Sequence, residues 1–123
     1  MTDNANHRKI GSRGEEQAAD FLRADGYQIE CCNYHFSNRG EIDIIARKNG
    51  VLVFIEVKTA LTDRFGEPEY WVTPAKQKQI IKVARAYLYS KNISNTDCRF
   101  DVMALRKEGG AYVINHYENA FTG

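Results

Sequence analysis

Residues 41–60 read EIDIIARKNGVLVFIEVKTA, and the fold turns on how they are paired. Asn49-Gly50 stands between two runs rich in β-branched residues, the strongest short-range signal for a hairpin. Strands are therefore expected over residues 40–47 and 51–59. With a two-residue turn, Lys48 faces Val51, Asp43 faces Glu56 and Glu41 faces Lys58. Directly opposed residues share a face of the sheet, with Cβ atoms roughly 4.5–5.5 Å apart. A four-residue loop preserves that shared face; a three-residue loop sends Asp43 to the other side.

Two carboxylates opposed on a sheet repel each other. Such a pair persists when one takes up a proton or when a cation sits between them. Mg²⁺ or Mn²⁺ suits such oxygens and needs only one or two protein carboxylates. Lys58, two residues along, would stand beside that ion and could orient or deprotonate a water. The alternative is a plain ladder in which Glu41 pairs with Lys58 and the acids face solvent. Leu52 and Phe54 share the face with Glu56 and favour burial, which weighs against it.

Working outward, a helix starts at Ser12 and stops near Gly26. Its apolar face is Ala18, Phe21 and Leu22. Glu15 is the acid of a capping box, and Ala18, Ala19 and Leu22 place it on the inward face. If this helix covers the charged face of the sheet, Glu15 is a third carboxylate of the same site. Residues 27–36 form a further strand. Thr73-Pro74 is an N-cap followed by proline at the first helical position, opening a helix over 75–91. RFDVMAL and AYVINHY are strands flanking the turn residues 107–110. The order helix, three strands, helix, two strands predicts an antiparallel meander whose third strand crosses over to a parallel fourth.

The 123 residues match one domain, with polar residues 1–9 loose at its start. No apolar run is long enough to span a membrane and no leader is evident, so the expected compartment is the cytoplasm. Cys31, Cys32 and Cys98 form no disulfide framework, and with three histidines there is no zinc-like spacing. A net charge of +1 conceals local basic faces. Lys78, Lys82 and Arg85 lie on one side of the second helix, and Arg13 flanks the first. They suit a polyanion such as nucleic acid, or are a solvated surface. Phe65, Tyr70 and Trp71 could stack on unpaired bases; loop packing or a homodimer contact are the alternatives.

Asp43 followed by Glu56-Val57-Lys58 is the PD-(D/E)xK nuclease pattern, with Ile42 in the proline position. The wider text RGEEQAADFL, NRGEIDIIA, VFIEVKTA, RFG, RFDVMAL and NAF resembles the YraN-like family of predicted endonucleases, from Ser12 to Phe121. That family is similar in turn to Holliday-junction resolvases. The resemblance implies a restriction-endonuclease-like α/β fold, a mixed sheet flanked by helices, in a single nuclease-like domain over 1–123. It implies Asp43, Glu56 and the Val57 carbonyl as Mg²⁺ ligands, Lys58 as the catalytic lysine and Glu15 as a further acid. Ala60 stands where the family has arginine, which bears on phosphate contact at that position. The expected function is metal-dependent cleavage of nucleic acid, DNA ahead of RNA. The alternative is a non-catalytic nucleic-acid-binding module on the same fold.

Overall fold

The computed structural model describes residues 13–60 and 72–123. The expectations for residues 1–9, the Ser12 cap, Phe65, Tyr70, Trp71 and the Ala60 side chain lie outside the described residues. The element order is α1 (Arg13–Ala24), β1 (Gln28–His35), β2 (Glu41–Lys48), β3 (Val51–Ala60), α2 (Pro74–Ser90), β4 (Asp97–Glu108) and β5 (Ala111–Phe121). The strands form one mixed sheet in the order β1-β2-β3-β4-β5. Among the described residues only β3 and β4 run parallel, and α2 lies in the crossover between them. This is the α/β arrangement expected, consistent with a restriction-endonuclease-like fold.

Local chemistry explains the element boundaries. Asn49 (φ 53°) and Gly50 (φ 79°) both have positive φ, as a two-residue primed turn requires. Lys48 pairs with Val51, and the register runs regularly to Ile44 opposite Ile55. At the start of α2, Thr73 Oγ1 accepts the Lys76 N–H at 3.2 Å, satisfying one of the donors left free at a helix start.

Each face of the sheet has its own core. Leu52 and Phe54 of β3 pack with Ile80, Val83, Ala84 and Tyr87 of α2. Phe54 stacks on Phe100 at 5.5 Å between centroids, and Phe100 on Phe121 at 5.1 Å. Pairs of this kind contribute about 0.5–1.5 kcal/mol beyond area burial. On the opposite face, Val53, Ile55, Ile44 and Met103 pack with Ala18, Ala19 and Leu22 of α1. Phe21, expected on the apolar face of α1, is 39% exposed, whereas Ala18, Ala19 and Leu22 are buried as expected. Gly14 lets α1 approach closely: a Cβ there would lie 2.6 Å from Thr59 Oγ1. Among the described residues, no helix is long and apolar enough to cross a membrane.

Candidate functional site

The pairing of β2 with β3 ends at Ile44 and Ile55. Where the next rung would lie, Asp43 Oδ2 accepts the Val57 N–H at 2.8 Å. A carboxylate bonded to a strand N–H sits near the plane of the sheet, in the gap where the two strands part. The regular rung expected between Asp43 and Glu56 is therefore replaced by a side chain standing in for backbone. Asp43 is 7% exposed and Glu56 8%.

That position decides which elements meet there. Glu56 continues the row of Leu52 and Phe54, the face covered by α2, whereas α1 covers the opposite face. The two acids thus approach from different sides, and Glu15 does not need α1 to cover the face of Glu56. Both hydrogen-bond to Asp43. Glu15 Oε1 also accepts from Asn33 Nδ2 at 2.9 Å. Asn33 has a positive φ (52°), a conformation asparagine tolerates better than most residues. Glu41, expected opposite Lys58, instead pairs with His35 at 3.2 Å. One oxygen each from Glu15, Glu41 and Asp43 lies within 4.8 Å of the others. Lys58 Nζ is 3.7 Å from Glu56 Oε2 and is partly exposed.

Burial is the main force on these acids. It raises Asp43 above the usual carboxylate range, aided by the Glu41 charge, although the Val57 N–H pulls the other way. Burial and the negative charge of Asp43 push Glu56 up to about 7, while Lys76 and Lys58 oppose that rise. A carboxyl near 7 is half protonated at neutral pH and can share its proton with Asp43. The donor set is all oxygen, which suits a hard divalent cation such as Mg²⁺ or Mn²⁺. Glu15, Glu41 and Asp43 could hold such an ion, with Glu56 bonded to Asp43 beside them.

Lys78, Lys82, Arg85 and Arg13 are not among the residues that meet at the acids. Lys78, Lys82 and Arg85 line, with Ile81, a groove of about 520 Å³ between α2 and residues 122–123. Arg13 is exposed at the start of α1. Two residues near the acids escaped the sequence reading. Glu41 carried the right signal, standing two residues before Asp43 on the same strand, but its assignment to a ladder pair hid it. Lys76 had no signal, because only the packing of α2 brings its charge to Glu56.

A family model described as uncharacterised protein family UPF0102 matches residues 14–105. A UPF0102 protein of Chlorobium phaeobacteroides is 44% identical over 118 residues, covering 91% of this chain and 92% of the relative. One from Pelobacter propionicus is 44% identical over 123 residues, covering 98% and 87%. One from Flavobacterium psychrophilum is 39% identical over 117 residues, covering 95% and 97%.

Proposed function

The chain belongs to the UPF0102, or YraN-like, family, and from that premise we propose that it is an endonuclease hydrolysing phosphodiester bonds with Mg²⁺ or Mn²⁺. Its substrate is nucleic acid, in particular DNA of non-standard structure. The observation that carries this reading is Asp43, buried at a break in the sheet and touched by Glu15 and Glu56 from opposite sides. Proteins do not gather acids this way for stability, since like charges removed from water cost free energy.

The divalent cation supplies Lewis-acid polarisation of the phosphate and a lowered pKa for bound water. Asp43 is held in place by the Val57 N–H, so its carboxyl group is oriented by the backbone. Glu15 and Glu41 complete the oxygen set, and Glu56 holds or releases a proton beside it. Lys58, next to Glu56 and partly exposed, orients the attacking water or neutralises charge developing on the phosphate. The charges of Lys78, Lys82 and Arg85, around a largely apolar groove, contribute affinity to flanking phosphates.

The test is a panel of labelled single strands, duplexes, flaps and four-way junctions, in DNA and RNA, with Mg²⁺ or Mn²⁺. At least one should be cut by the wild type and none by Asp43→Asn. Lys58→Ala should keep metal affinity while cleavage falls by ~10²–10⁴-fold. Binding without cutting across the whole panel would instead support the non-catalytic module, which the separate basic groove favours.

A further inference from the structure

Glu41 belongs to two places at once. Besides meeting Asp43 and Glu15, it lines a polar cleft of about 430 Å³. One wall is the turn between β1 and β2, with His35, Asn38 and Gly40; the other is the first turns of α2, with Lys76 and Gln79. The volume lies within the range of ligand sites, roughly 300–1,000 Å³. Its lining is mostly polar, which suits a charged or strongly hydrogen-bonding ligand.

The cleft is built rather than incidental. Gly40 has φ +140°, and a Cβ there would lie 2.6 Å from Gln79 Cδ and 2.7 Å from Cγ. Glycine tolerates this backbone conformation and leaves room for the Gln79 side chain, so β2 starts close against α2. Lys76 sits in that turn, its backbone tied to the Thr73 cap at 3.2 Å. The ammonium is near enough to the acids that its charge bears on Glu56 ahead of that of Lys58. A group of four carboxylates repels a polyanion. Whatever phosphate enters needs a cation on the approach, and the cleft supplies one where it adjoins the acids.

We propose that this cleft is the substrate subsite of the acidic centre, holding a phosphodiester next to the bond that is cut, with Lys76 as the residue that grips it. The inference rests on the nuclease reading and adds a subsite and a positioning residue to it. DNA and RNA present the same phosphate chemistry, so both enter the test.

Fluorescein-labelled DNA and RNA strands of one sequence are titrated over a salt series, with Ca²⁺ replacing Mg²⁺ to suppress cutting. Mn²⁺ binding is measured separately by electron paramagnetic resonance, and folding by melting temperature. Lys76→Gln should fold and bind Mn²⁺ as the wild type does. It should bind at least one strand ~10-fold or more weakly, as expected for loss of a charge-assisted hydrogen bond. The slope of log affinity against log salt should fall by about one. Lys76→Arg should retain both affinity and slope. Wild-type affinity and slope in Lys76→Gln overturn the subsite, as does a wild type that binds neither strand. Loss of Mn²⁺ binding in Lys76→Gln also overturns it, because Lys76 would then be supporting the acids. A wild type that binds no Mn²⁺, combined with the expected loss in Lys76→Gln, sinks the acidic-centre reading and leaves the cleft standing as a phosphate site.

Discussion

Two aspartates are buried in this sheet, and each accepts a backbone N–H at a break in a strand ladder. Asp43 takes the N–H of Val57 where β2 leaves β3. Asp101 takes that of Asn119 at 2.9 Å, where the β4–β5 register shifts after Phe100. From there they diverge. Asp101, wholly buried, receives both Nε and an Nη of Arg99 at 2.9 Å and contacts His116 Nε2 at 2.7 Å. Arg99 is braced in turn by Tyr27, whose hydroxyl accepts from it at 2.7 Å. Burial alone would raise Asp101, but the bonds from His116, Arg99 and Asn119 outweigh it and hold the carboxyl below its usual range. Asp43 has acids where Asp101 has donors, and its carboxyl is raised. One carboxylate is held ionised by donors; the other is crowded by acids and its pKa is raised. Two buried carboxyls therefore shift in opposite directions, and the neighbours decide which.

The comparison breaks most readily at Asp101. Asp101→Ala leaves the Arg99 guanidinium half-buried without its main acceptor, and should cost about 3–5 kcal/mol in urea unfolding. A loss below 1 kcal/mol would mean that this cluster is not the structural member of the pair.

The next effect is the pH dependence at the acidic site. The Glu56 carboxyl has a pKa of about 7 in the folded protein, against 4.5 as its ordinary value. The folded state holds a proton that the unfolded chain releases, so this contribution is complete below the ordinary value and lost as pH rises through the folded one. In EDTA, stability should fall between pH 5 and 8 by on the order of 3 kcal/mol. Mg²⁺, which favours the ionised form, should recover much of that loss, and Glu56→Gln should flatten the profile. A wild type equally stable at both pH values in EDTA would remove the contrast with Asp101.

Asp43→Asn should give the smallest change, and in the unusual direction. Asparagine can still accept the Val57 N–H through its side-chain oxygen, so no backbone donor is orphaned. The charge beside Glu56 is gone. At pH 8 in EDTA the variant should be more stable than its parent by about 1 kcal/mol, while Mg²⁺ no longer raises its melting temperature. A variant less stable than wild type under these conditions would show that Asp43, like Asp101, has a net stabilising set of neighbours.

Much of this architecture was legible from short-range rules. Asn49-Gly50 determines a primed turn, the turn determines the register through Ile44 and Ile55, and Thr73-Pro74 determines where α2 begins. Alternation along β3 placed Leu52, Phe54 and Glu56 on one face, and the crossover length made β4 parallel. Each of these follows from chain geometry over a few residues, and so survives without knowledge of the rest of the fold. Alternation says which side chains share a face, yet not which helix covers it, so α1 on the face opposite Glu56 could not be read. Nor could the splitting of β2 from β3, which puts Asp43 between the layers and in reach of both Glu15 and Glu56. The packing of Gln79 against Gly40 and the Arg99–His116 clamp on Asp101 join residues distant in sequence. Tertiary packing alone brings such groups together, because the free energy of burying them depends on every neighbour at once.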